Sequence, residues 1–217
     1  MHPNRGAAEV ILLDNADVGR ADTPLIRSVT LSVEPGCLIR LVGKNGVGKT
    51  TLLHTILGYL PLLGGARGPE LPAPATTEHQ AMFGYMPSMV PRLPSLTLPQ
   101  WLDALAVGYR RERSEIQEIW DAIGGRALPT TMLDQLSSGN LRKALFTSAC
   151  AIQRELLVLD EPFDEVDNEG QSAMARIIEQ QRAAGAAVIV VSHREIAQLL
   201  DVDTTYEISE EHLHVVP

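Results

Sequence analysis

Eight consecutive residues, Gly43-Lys44-Asn45-Gly46-Val47-Gly48-Lys49-Thr50, constrain this chain more than any other feature. They follow the apolar run Leu38–Val42 and precede Thr50–Leu57, which is rich in helix-forming residues. Strand, glycine-rich loop and helix in that order are the setting in which G-x-x-x-x-G-K-[ST] forms a phosphate-binding loop. Glycines let successive backbone N–H groups turn inward around phosphate oxygens, and the positive end of the helix adds to the attraction. Lys49 brings a point charge to the outer phosphates, and Thr50 offers a hydroxyl to Mg2+. A strand that ends at the loop and a helix that starts there point to an α/β architecture.

The rest of the chain agrees. Continuous apolar strands at Leu156–Leu159 and Ala187–Val191 alternate with helices at Leu141–Ile152 and Gln171–Ala184, the last closed by Gly185. That pattern predicts a largely parallel sheet covered on both faces. Val10–Leu13, Val29–Val33 and Met82–Met86 read as further strands, with a turn at Pro35–Gly36. Pro61 to Gln80, dense in proline and glycine, reads as a loop or short edge strands. A helical insertion near residues 89–146 contains two capping-box spacings, Thr97-x-x-Gln100 and Ser114-x-x-Gln117. Behind the first, Trp101, Leu105 and Tyr109 fall on one helix face, and Gly124–Gly125 stops the second helix. Core packing explains this aromatic stripe; a docking surface is the alternative.

Composition sets limits. With 217 residues, 45% apolar and 21% charged, the chain suits one compact domain with a sub-lobe. The net charge of −9 argues against nucleic acid as the main partner, because phosphate backbones need clustered Lys and Arg. Arg110, Arg111 and Arg113, interrupted by Glu112, read as a solvated helix face. Cys37 and Cys150 lie in apolar surroundings, which suits buried thiols in a reducing compartment. No apolar run reaches the length of a membrane span, and Met1–Gly6 holds no apolar signal core. A soluble cytoplasmic chain is the expectation.

Three further motifs carry chemistry. Leu156-Leu157-Val158-Leu159-Asp160-Glu161-Pro162 ends a buried strand in two carboxylates, at the strand end where open α/β sheets bind ligands. Asp160 can hold Mg2+, and Glu161 can orient or deprotonate an attacking water. Leu136-Ser137-Ser138-Gly139-Asn140 places hydroxyls and a glycine at a helix N-terminus, a second anion site. Ser192-His193 ends another buried strand, from which His193 could contact a γ-phosphate.

Together these residues resemble the ATP-binding subunit of an ABC transporter. Gly43–Thr50 matches that family's Walker A, and Leu156–Glu161 its Walker B with the catalytic glutamate. Leu136–Asn140 resembles the LSGGQ signature, Asp167 the D-loop aspartate, and His193 the switch histidine. The motifs run in the family's order over about residues 10–210, and the short length is similar to compact exporter-type subunits. There are three departures. Ser138 and Asn140 replace a glycine and a glutamine of the signature. In Gly84-Tyr85-Met86-Pro87-Ser88, Ser88 stands where the Q-loop glutamine is expected, too short to reach Mg2+ or the water without a bridging water. The aromatic that stacks on adenine is missing, and Arg20 aligns there.

The resemblance implies a P-loop NTPase-like, mostly parallel sheet with a small antiparallel β part. It also implies one ABC-type ATPase domain over residues 1–217, with a helical subdomain at approximately 89–146. Implied catalytic residues are Glu161 and His193. Implied nucleotide contacts are Gly43, Asn45, Gly46, Val47, Gly48, Lys49, Thr50, Thr51 and Arg20, with Ser137 and Gly139 supplied across a head-to-tail dimer. Thr50, Asp160 and Ser88 would hold Mg2+. The expected partners are a transmembrane permease subunit and a second ATPase subunit, identical or different, at the inner face of the cell membrane. Rivals are a non-transport ABC ATPase of translation or DNA repair, and a switch that binds ATP but hardly turns over. A kinase would leave the signature and Ser192-His193 unexplained.

Overall fold

The computed structural model describes residues 9–90, 93–125, 130–193 and 196–216. Six strands form the main sheet: β3 (Leu38–Gly43), β5 (Phe83–Met86), β6 (Leu156–Asp160), β7 (Ala187–Val191), β8 (Thr204–Ser209) and β9 (His212–Val216). Their order is β5-β6-β7-β3-β8-β9, parallel throughout except for β9, which runs antiparallel to β8. A smaller antiparallel sheet orders β2 (Thr23–Val33), β1 (Val10–Arg20) and β4 (Gly64–Arg67) as β2-β1-β4. Helices α1 (Lys49–Ile56), α2 (Thr77–Met82), α3 (Leu98–Tyr109), α4 (Arg113–Ala122), α5 (Ser138–Ala149) and α6 (Asn168–Ala183) complete the fold.

Strand side chains alternate between faces, so the sheet sorts its own residues into two cores. Leu38, Leu157, Leu159, Val188 and Val190 pack with Leu102, Trp120, Phe146 and Met174 of the helices. Ile39, Leu41, Leu156, Val158, Ile189 and Val191 pack on the other face with Leu52 and Ile56 of α1 and with Leu12, Val18 and Val29 of the small sheet. Both faces of the parallel strands are therefore apolar, which explains their unbroken hydrophobic runs.

Several elements differ from expectation. β1 runs on to Arg20 through repeated register shifts, because Asn15 sits at φ 45° and bulges break its alternation. The proline-rich stretch holds the edge strand β4 and the short helix α2, capped by Thr76. Helix α4 starts at Arg113, and the Glu115 carboxylate accepts from the Glu112 N–H at 2.9 Å, so Ser114 is not the cap. The Thr97 box holds, with Gln100 accepting from the Thr97 N–H at 2.9 Å. The buried face of α3 is Leu98, Leu102, Leu105 and Ala106; Trp101 and Tyr109 flank it half-buried. The β8–β9 hairpin carries no signal read from the sequence. Parts of the 89–146 insertion (residues 91, 92 and 126–129) and Met1–Gly6 lie outside the described residues. Cys37 and Cys150 are both free, and among the described residues no helix is long and apolar enough to cross a membrane.

Candidate nucleotide site

The site lies where β3, β6 and β7 end. β3 passes into the glycine loop, and α1 begins at Lys49. Gly48 has φ 110°, and a Cβ there would come within 3.3 Å of Leu25 on β2. Only glycine meets both demands, the left-handed backbone and the close neighbour. Lys49 is 8% exposed, and its Nζ donates to the Gly43 and Lys44 carbonyls at 2.7 and 3.0 Å. The loop is thus curled around its own ammonium. Burial pushes the Lys49 pKa down, while the Glu161 and Asp160 carboxylates pull it back up.

Asp160 ends β6 as a buried carboxylate. Its Oδ2 accepts from Thr50 Oγ1 at 2.8 Å and from Ser88 Oγ at 2.7 Å. Ser88 follows β5, the neighbour of β6, so the two strand ends deliver serine and aspartate side by side. Ser88 thus reaches the Asp160 carboxylate directly. One carboxylate and two hydroxyls form an oxygen-only donor set, which fits the hard cation Mg2+.

Glu161, buried beside Asp160, has φ 53°, a left-handed conformation unusual for a non-glycine residue. Its Oε2 accepts from the His193 backbone N–H at 3.2 Å, and His193 Nε2 lies 3.2 Å from Oε1. Burial raises the Glu161 pKa above the ordinary carboxylate range, opposed by the amide and imidazole of His193. A carboxylate so placed is a better proton acceptor near neutrality than an exposed one.

These residues line one cleft of about 700 Å3, which also takes in Arg20, Asn45, Gly46, Thr51, Leu25 and Met89. Gly43 and Val47 serve it from behind: Gly43 through its carbonyl, Val47 by packing on the core. Ser137 and Gly139 do not line it. They sit at the N-terminus of α5, where Ser137 Oγ accepts from the Asn140 N–H at 3.4 Å. Two neighbours went unread in the sequence. His54 Nε2 lies 2.9 Å from the Tyr85 hydroxyl, and both groups feel the Asp160 charge. His54 is one helical turn beyond Thr50 and Tyr85 three residues before Ser88, and that spacing was the available signal.

The family model described as ABC transporter matches residues 26–164. Over 179 residues the chain is 34% identical to the zinc import ATP-binding protein ZnuC of Cereibacter sphaeroides, covering 81% of this chain and 69% of that protein. A solved structure described as the ATP binding subunit of an ABC transporter superposes with a TM-score of 0.80, covering 95% of this chain and 90% of that one at 21% identity. The archaeal ribosome recycling factor aABCE1, solved with a ribosomal stalk protein, gives a TM-score of 0.79 over all of this chain and 41% of that one, at 18% identity. At those identities the two structures speak to the fold alone.

Proposed function

This chain belongs to the ABC transporter family, as an ATP-hydrolysing subunit that powers transport through a separate membrane subunit, and we propose that Glu161 is its general base. The observation that carries this is the convergence on one cleft wall of Asp160, bonded to Thr50 and Ser88, and Glu161, contacted by His193. Lys49 and the loop amides bind the phosphates of ATP. Glu161 takes the proton of the attacking water, and His193 holds the carboxylate in place and reaches toward the γ-phosphate. Mg2+, held by Thr50, Ser88 and Asp160, would neutralise charge on the phosphates. Arg20, which lines the same cleft, would meet the base in place of a stacking aromatic.

Ser137 and Gly139 lie off their own chain's cleft, which supports a head-to-tail dimer in which they cover the phosphates held by a second ATPase subunit. The test is Glu161→Gln, measured for ATP binding and turnover. Binding should persist while turnover falls by about 10²–10⁴, the usual worth of a positioned base. A native rate in that variant removes Glu161 from the role.

The relatives named for zinc import favour uptake of a divalent metal ion over export. Cells carrying this chain with its permease should accumulate labelled zinc, and Lys49→Ala should abolish that uptake. Unchanged accumulation would point to another cargo.

A further inference from the structure

Lys143 lies on α5 one turn after Gly139, on the same helix face, and none of the steps above uses it. Its side chain is 8% exposed, yet the ammonium has two oxygen partners. Nζ donates to the Gly124 carbonyl at the end of α4 at 3.2 Å and lies 3.0 Å from Asp167 Oδ1 at the start of α6. Two glycines make room for this arrangement. A Cβ on Gly170 would come within 2.9 Å of Lys143 Cε and 2.7 Å of Asp167 Oδ1. A Cβ on Gly139 would come within 2.7 Å of the Glu165 carbonyl. The Gly139–Lys143 face of α5 is therefore seated directly on residues 165–167.

That segment leads straight back to Glu161. Gln171 Nε2 donates to the Phe163 and Val166 carbonyls at 3.1 and 2.8 Å, and the Asp164 N–H reaches the Glu161 carbonyl at 3.4 Å. Residues 161–167 thus form a tightly tied series of turns with Phe163 and Val166 buried. A left-handed glutamate persists only where its surroundings over-determine the backbone. Here the far end of the determining segment is fastened by Lys143.

We propose that Lys143, through Asp167, is a positioning residue for ATP hydrolysis: it locks segment 162–167 to the helical lobe and so keeps the left-handed Glu161 aimed into the cleft. The proposal rests on Glu161 acting as the base. Because Lys143 also holds the end of α4, displacement of the helical lobe is passed to Glu161 as well as to the signature residues at the head of α5. Turnover then depends on the lobe being seated, while binding of ATP to the loop at Lys49 does not.

Steady-state MgATP hydrolysis by the purified full chain tests this. Lys143→Met, Asp167→Asn and Gly170→Ala should each lower kcat by between about ten- and a hundredfold, as small misplacements of a reacting group do. KM for ATP should stay within about twofold, the mark of a loss confined to the transition state. Lys143→Arg should restore most of the rate, and Lys143→Met with Asp167→Asn together should be no slower than the slower single variant. Should Lys143→Met fail to fold, Asp167→Asn, at a carboxylate that is 66% exposed, carries the test. Native kcat in the single variants, a matching rise in KM, or multiplying effects in the double variant would overturn the proposal. Glu161→Gln run alongside separates the two assignments. A native rate there removes the base; lost turnover there with native kcat in Lys143→Met removes only the positioning role.

Discussion

A single carboxylate oxygen organises the centre of this site. Asp160 Oδ2 gathers hydroxyls from Thr50 and Ser88, which are far apart in sequence and come from α1 and the end of β5. The family resemblance marks Ser88 as a departure from the Q-loop, but only the pairing of β5 with β6 shows that its hydroxyl meets Asp160. Asp167 offers a pH test at the same scale. The bond from the Lys143 ammonium holds its carboxyl below the ordinary aspartate range. A depressed carboxylate contributes stability above its unfolded pKa and loses it as pH falls through the folded one. Asp167→Asn should therefore melt below the native protein at about pH 7, with the gap closing below about pH 4, where an ordinary aspartate titrates. A gap that stays constant across that range would show that the charge adds no stability.

Among the elements, β5 and α5 approach closely. A Cβ on Gly84 would come within 2.4 Å of the Ala149 carbonyl and 2.8 Å of Leu157 Cδ1, so strand and helix meet only because the glycine is bare. Gly84→Ala should cost about 1–3 kcal/mol, as overpacking typically does. Because β5 leads into Ser88, the same change should also weaken Mg2+-dependent hydrolysis. Urea denaturation gives the first number; an unchanged midpoint would mean that α5 moves aside freely. Element boundaries show where local signals fail. Glu112 and Glu115 cap α4 although Ser114 has the better side chain, since the helix begins where Ile116 and Trp120 can reach the core. The hairpin β8–β9 is weakly apolar in sequence because it ends the sheet, with His212, His214 and Val215 exposed.

For the whole molecule, the exposed apolar residues beside the cleft matter most. Met89 is 82% exposed, and Val90 and Tyr59 are about half exposed. Met89 lines the cleft directly after Ser88, and the chain then enters the helical lobe. Arg142 on α5 donates to the Pro87 carbonyl at 3.1 Å, tying that turn to the lobe as well. A flexible thioether at such a junction suits an adaptable contact with a helix of the membrane subunit. Val90→Glu, next to Met89 but outside the cleft lining, should abolish co-purification with that subunit while ATP binding and folding persist. Normal assembly in that variant would move the docking surface elsewhere.

The sequence alone determined the phosphate loop, the acidic strand end, the parallel core strands and the family. These are short-range features: a glycine loop between strand and helix, or an unbroken apolar run, is written in consecutive residues and means the same in any context. The tertiary structure decided the rest. It brought Ser88 against Asp160 and His193 against Glu161. It also seated Lys143 on Asp167. Each of these depends on which strands neighbour one another and on how closely two backbones approach, and neither strand order nor a missing Cβ's neighbours can be read along a chain.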